Sequence, residues 1–346
     1  MAGCGVCGNA AGNRLHTALE MMLGTREEFL YIECAQCGCL QIEEIPADLS
    51  AKYYPASYYS TSGPRLLQES PVKTFLRRQR AGYGLHGKNL LGRAIARFYR
   101  VPAHYRWLRL MKIAFDAAIL DVGCGVGHLL MDLARDGFSR LTGIDPFLPG
   151  DITHGPGLDL LKREVYDLEP GYDLIMLHHS FEHMPEPERV FRALYRLARP
   201  GAYVLIRIPV VPSYAWRTYG VHWVQLDAPR HLFLHSRESM GILAARAGFR
   251  LMRIECDSTA FQFWGSEQYL RDIPLCDPRS FARNAGRSLF SKETLAAFDA
   301  KAAGLNRRDD GDQACFLMFK DRNTPGAGQS PPPSHHRPAE PSDALS

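Results

Sequence analysis

Three sets of residues in this chain of 346 have the types and the spacing to do chemistry. The first is Cys4-x-x-Cys7 with Cys34-x-x-Cys37, two pairs separated by 26 residues, with Gly5, Gly8 and Gly38 permitting turns tight enough to aim two thiolates at one ion. Four thiolates suit a closed tetrahedral zinc site with no position left for substrate, which makes its role structural; the competing reading is unmetallated or redox thiols. Cys39 lies just beyond the second pair and is read as a bystander. The second set is Asp121, Gly123, Gly125 and Gly127, followed by Asp145 at the end of the next apolar run. The third is polar and imidazole-rich: Glu182 and His183 in one stretch, Asp227, Arg230 and His231 in another.

These groups need elements to hold them. Residues 119–122 read as a strand, the glycines as a sharp turn, Leu129, Leu130, Leu133 and Ala134 as one face of a helix, and residues 141–144 as a second strand. That order carries Asp145 to the strand edge where open α/β sheets bind nucleotides, and an acid there can accept hydrogen bonds from both ribose hydroxyls. A dinucleotide fingerprint would need Gly or Ala in its third place, and His128 stands there. Residues 172–177 form a further buried strand, 178–187 a loop and 190–198 a helix; Arg199, Pro200 and Gly201 break it before a strand at 202–208.

The acid-x-Gly-x-Gly-x-Gly run resembles motif I of the class I S-adenosylmethionine methyltransferases, and FEHMPEP, a helix and ARPGAYVLIRIP resemble motifs IV to VI, in order across residues 118–209. The resemblance implies an α/β, Rossmann-like sheet of seven strands with the last inserted antiparallel. It implies S-adenosyl-L-methionine as cofactor, held by Asp121, Gly123, Gly125, Gly127 and Asp145, with Tyr166 and Asp167 against the adenine. Cys-x-x-Cys pairs, then the Tyr-rich run KYYPASYYS, then such a core are similar to bacterial surface-polysaccharide and glycolipid proteins and to sugar C-methyltransferases with an N-terminal zinc module. The implied acceptor is therefore a small molecule or glycan-related compound methylated at oxygen or carbon.

Methylating a hydroxyl or carbon requires a base for the acceptor's proton. His183 is the first candidate and His231 the second; the competing reading has Glu182 and His183 capping the next helix. The run LD-x-PRHL recurs in this group, which implies that Arg230 orients an oxygen or phosphate of the substrate, against a buried ion pair with Asp227. In the similar ubiquinone-pathway O-methyltransferases an extra Glu precedes the Glu-His pair by three residues and is associated with a divalent cation. His179 stands at that place here, a departure that counts against a catalytic metal. Leu177, His178, His179 and Ser180 also lack the Asn/Asp-Pro-Pro-aromatic grip on a flipped adenine.

The chain divides into a zinc ribbon and Tyr-rich segment (1–60), a basic helical linker (61–115), the methyltransferase domain with acceptor-side insertions (116–320) and a disordered tail (321–346). At 46% hydrophobic residues it can bury a sizeable core, and it lacks both an apolar run of membrane-spanning length and a secretory leader, so a cytoplasmic protein without membrane insertion is expected. Residues 61–115 hold twelve Lys or Arg and one acid. A solvated face is the plain reading; an anionic substrate or RNA is the sharper one. Two alternatives stay open: an RNA methyltransferase, and a non-catalytic S-adenosylmethionine-binding protein recruited through the ribbon.

Overall fold

The computed structural model describes residues 3–54, 70–287 and 289–322. The second half of the Tyr-rich run, the start of the basic stretch and nearly all of the expected tail lie outside the described residues.

Three antiparallel strands open the fold: β1 (Arg14–Leu19), β2 (Glu28–Glu33) and β3 (Leu40–Ile42), followed by a short helix, α1 (Leu49–Tyr53). The basic stretch then makes α2 (Pro71–His86), α3 (Leu90–Phe98) and α4 (Tyr105–Leu110). Ser70 caps α2 with Pro71 in its first turn, left-handed Gly87 ends it, and the Asn89 side chain caps α3 by accepting from the Gly92 N–H at 2.9 Å. Part of the basic charge is spent within the fold. Arg77 on α2 meets Asp132 and Asp136 of the helix that follows the glycine turn, at 3.2 and 3.0 Å, and the Tyr105 hydroxyl donates to Asp136 at 2.7 Å. Arg80 also faces Asp136 at 3.8 Å and Arg106 pairs with Glu255, whereas Arg93 and Arg97 on α3 stay exposed beside Leu90 and Phe98.

The core follows as β4 (Ile119–Val122), α5 (His128–Asp136), β5 (Leu141–Ile144), β6 (Ile152–Thr153), β7 (Leu158–Leu161), β8 (Tyr172–His178), α6 (Pro187–Leu197) and β9 (Ala198–Pro209). After an insertion come α7 (Tyr214–Tyr219), β10 (Phe233–Leu234), α8 (Arg237–Ala247), β11 (Arg250–Cys256), α9 (Phe261–Tyr269), α10 (Lys292–Arg307) and β12 (Gln313–Phe319). The large sheet runs β11-β12-β9-β8-β4-β5-β7-β6. Strand β12 lies antiparallel between β9 and β11, as the resemblance implied.

Alternate residues of the central strands serve opposite faces. Ile119, Leu174, Met176, Leu205 and Leu317 pack toward α2, α4 and α5, whereas Leu120, Ile175, Val204, Ile206 and Phe316 pack toward α6 and α8. The sheet has eight strands, not the seven expected, because Ile152–Thr153 turns back antiparallel on β7. Strand β7 stops at Leu161, short of Tyr166. Arg199, Pro200 and Gly201 do not break the chain between helix and strand but begin β9: Gly201 takes φ +86°, and its N–H reaches Lys320 O at 2.8 Å.

The N-terminal strands are not a free-standing module. Strand β10 completes their sheet, pairing Phe233 with Gln41 and Leu234 with Leu40. Among the described residues no helix is long and apolar enough to cross a membrane.

Candidate active site and cysteine cluster

At the carboxyl ends of β4 and β5 the glycine turn takes the backbone into the left-handed region at Gly123, Gly125 and Gly127 (φ +74°, +51° and +79°). A side chain at Gly127 would meet Leu160 at 2.7 Å, and one at Gly123 would run into Ser180. The turn is therefore fitted both to the sheet and to the loop after β8. Asp145 accepts from the Gly125 N–H at 3.0 Å and the Phe147 N–H at 2.9 Å, which fixes its carboxylate beside the turn. Asp121 is buried, and that burial, with the nearby Asp145 carboxylate adding to it, pushes its carboxyl up from 3.8 to about 7. A buried acid under a glycine cradle fits a ligand that brings a cation, as the amino-acid end of S-adenosylmethionine does.

The sign of that shift makes a prediction. Cation binding favours the ionised acid, so cofactor affinity should rise with pH until Asp121 is ionised, up to about tenfold per unit below pH 7, and then level off. In the free protein the same raised pKa favours folding at low pH, and that contribution is lost as pH rises from 3.8 through 7. Calorimetric titration of S-adenosylmethionine against pH should show the ramp in the wild type and a flat line in Asp121→Asn. An equal ramp in both removes Asp121 from the site.

The loop after β8 is held against the turn by Ser180, whose hydroxyl donates to Val122 O at 2.7 Å. It then forms a single 3-10 turn, Phe181–His183. His183 and His231, 48 residues apart in sequence, meet with ring centroids 4.7 Å apart. Each is oriented the same way. His183 Nδ1 lies 2.8 Å from Arg230 O, and His231 Nδ1 lies 2.8 Å from Gln225 O. A carbonyl oxygen only accepts, so Nδ1 carries a proton in both rings, and His231 Nε2 faces Asp227 Oδ2 at 3.7 Å. Burial, helped by the neighbouring His183, pushes His231 down to about 4, so it is a neutral imidazole at pH 7.

Glu182 is fully buried, and neither carboxylate oxygen has a hydrogen-bond partner. Burial alone would raise its pKa, but the imidazoles of His179, His183 and His231 outweigh that and hold it low. His179 stands 3.4 Å from Glu182 Oε1, and its Nε2 faces Arg207 Nη1 at 2.6 Å. Tyr54, from the N-terminal segment, closes the group: its hydroxyl is 3.1 Å from His183 Nδ1, and its ring stacks on Phe147 with centroids 5.9 Å apart. It bridges the Asp145 side and the imidazole side, a role that nothing in the Tyr-rich run announced.

The structure places the remaining residues elsewhere. Arg230 is wholly buried; it donates to Asp227 through Nε at 3.0 Å and Nη2 at 2.5 Å, and Nη2 also reaches Glu20 at 3.1 Å. This is the ion pair weighed against substrate contact, enlarged by a second acid from β1's end. Arg230 meets the His183 imidazole through its main-chain carbonyl. The Tyr166 ring lies under the Arg189 guanidinium at 4.1 Å, and Asp167 accepts from the Glu164 N–H at 3.1 Å. No described contact brings either to the glycine turn or to Asp145, because β7 ends before them.

The four paired cysteines converge. Cys4 and Cys37 Sγ are 3.6 Å apart, Cys7 and Cys34 Sγ 3.4 Å, and all four sulfurs lie within 4.8 Å of one another. Thiolates at about 2.3 Å from a tetrahedral zinc stand about 3.8 Å apart, so the set fits such an ion. Cys39 is buried outside it, with its sulfur 4.0 Å from His235 Nδ1.

Residues 94–254 match a family model described as a methyltransferase domain. EEF1A lysine methyltransferase 2 of Homo sapiens is 43% identical over 67 residues, 18% of this chain and 28% of that protein. Ubiquinone biosynthesis O-methyltransferase of Pseudomonas entomophila (strain L48) is 29% identical over 114 residues, 30% of this chain and 49% of that protein. The chain thus spans half or less of the length of these relatives. A solved S-adenosylmethionine-dependent methyltransferase from Mesorhizobium loti is 15% identical, with a TM-score of 0.36 over 63% of this chain and 98% of that one. The family match and the strand-turn-helix carrying Asp121, the three glycines and Asp145 agree: this chain contains a class I S-adenosylmethionine-dependent methyltransferase domain.

Proposed function

We propose that the protein transfers a methyl group from S-adenosylmethionine to an oxygen of a small-molecule or glycan-related acceptor, with carbon as the other acceptor atom the sequence allows. The observation that carries this reading is the packing of Ser180 on Gly123, which sets the Glu182, His183 and His231 group beside the cofactor turn. Bound cofactor supplies an electrophilic methyl group. Asp121, Asp145 and the glycine turn bind and orient it, and the Glu182, His183 and His231 group meets the acceptor hydroxyl and promotes loss of its proton. The Cys-pair and Tyr-rich run supports a glycan-related acceptor, whose methylatable atoms are oxygen and carbon; of the relatives, one is named an O-methyltransferase and another a lysine methyltransferase. A structural zinc on Cys4, Cys7, Cys34 and Cys37 belongs to the same reading.

The test is transfer of radiolabelled methyl from S-adenosylmethionine to a panel of sugar, phenol and glycolipid acceptors, with RNA as comparator. Label should enter an oxygen acceptor. Asp145→Ala should weaken cofactor binding by about 1.5 to 3 kcal/mol, the worth of a charged hydrogen bond. Cofactor binding with label entering RNA alone would overturn the acceptor class, and wild-type affinity in Asp145→Ala would overturn the cofactor geometry.

A further inference from the structure

A buried carboxylate without hydrogen bonds costs several kcal/mol unless a cation meets it. Among the described residues no Lys or Arg pairs with Glu182, and its near neighbours are imidazoles. Those of His183 and His231 are arranged as ligands: Nδ1 of each is tied to a main-chain carbonyl, which fixes the ring and leaves Nε2 as a donor, the outer-shell pattern that orients metal-bound histidines. Glu182, His183 and His231 each offer one donor atom within 4.8 Å of the other two, close to the span of ligands about 2.1 Å from a shared ion. His179 takes no part as a ligand, because Arg207 can only donate to its Nε2; its Nδ1 proton is left facing Glu182.

We propose that Glu182, His183 and His231 bind one divalent first-row transition ion, and that its open positions take two adjacent oxygens of the acceptor. Two imidazoles and one carboxylate favour manganese, iron, cobalt or zinc over magnesium or calcium, which prefer all-oxygen sites. Three protein donors leave positions open, unlike the four thiolates at the other end of the chain. A chelating acceptor is one with neighbouring oxygens, such as a vicinal diol or an ortho-dihydroxy ring. The acceptor's part in this rests on the methyl-transfer reading; the binding of the ion does not.

Manganese is the probe, since it competes poorly for thiolates. Full-length protein carrying one zinc per chain is titrated with Mn2+, and free ion is followed by electron paramagnetic resonance. One Mn2+ should bind per chain and resist displacement by excess Mg2+ or Ca2+. Glu182→Gln and His231→Gln should each weaken it by about 100-fold or more while cofactor affinity stays at the wild-type value, which shows that the variants are folded. The proposal is overturned if wild type retains no Mn2+ at millimolar ion, or if both variants retain it as wild type does. Full methyl transfer by protein that elemental analysis shows to hold zinc and no second ion would also overturn it, while leaving the methyltransferase reading intact. Ion binding with no transfer to any oxygen acceptor would leave the site standing and sink that reading instead.

Discussion

Cys37→Ser should disorder far more than the N-terminal sheet. The second cysteine pair leads into β3, and β3 pairs with β10, which begins two residues after His231. The Tyr31 hydroxyl donates to His231 O at 2.9 Å, the Ser236 hydroxyl donates to Cys37 O, and Arg246 Nη1 donates to Val6 O at 2.6 Å. The structural zinc proposed for these four cysteines would supply about 10 to 16 kcal/mol of folding free energy, more than those few strands supply alone. Its loss should therefore release the segment that fixes His231. Hydrogen exchange should show protection lost across residues 3–54 and 227–236 together, with methyl transfer gone and S-adenosylmethionine still bound at β4 and β5. Loss confined to residues 3–54 would mean that the ribbon and the acceptor loop are independent after all.

The parts of the fold that could be read from the sequence are those built by local pattern. Strands β4, β5, β8 and β9 are near-continuous apolar runs because both faces of the sheet are covered, and the glycine turn follows β4 at once. Helix α8 could be bounded from Ser236 and Gly248, which cap it in the structure. Errors came where a local signal had two meanings. Pro200-Gly201 is a breaker in a helix but is tolerated where a strand begins at a bulge, and Ile152–Thr153 is too short to show alternation.

The candidate site divides in the same way. Asp121, Asp145, the glycines, His183, His231 and the four cysteines were nameable from spacing and resemblance, and the structure gathers them in three places. Tyr54, Glu20 and the β3–β10 pairing were not. Each is a contact between segments 129 to 210 residues apart, and no period or motif records such a distance. Where the ubiquinone-type loop carries an extra acid this chain has His179, held by Arg207, and the third donor proposed above, His231, stands on another loop altogether.

Arg230 gives the sharpest contrast between the two readings of the PRH run. Were it a substrate contact, its removal would raise KM and leave stability alone. The structure instead gives it two carboxylates, with Arg230 and Glu20 fully buried. Glu20 also accepts from the N–H groups of Leu23, Gly24 and Thr25 at 2.8 to 3.0 Å, so it cannot turn away to solvent without undoing that turn. Arg230→Met, similar in volume and without charge, strands both acids and should cost about 3 to 5 kcal/mol, the range for breaking a buried pair from one side. Glu20→Gln should cost less, because Asp227 still balances the guanidinium. For Asp227, burial acts to raise the carboxyl and the Arg230 guanidinium more than offsets it, so its pKa is lowered. The pair's contribution is therefore present above the ordinary 3.8 and lost as pH falls through the lower folded value. Urea unfolding at neutral pH should rank wild type, Glu20→Gln and Arg230→Met in falling order, with the wild-type advantage over Arg230→Met shrinking in acid. An Arg230→Met protein as stable as wild type but with a raised KM for acceptor would return Arg230 to the substrate.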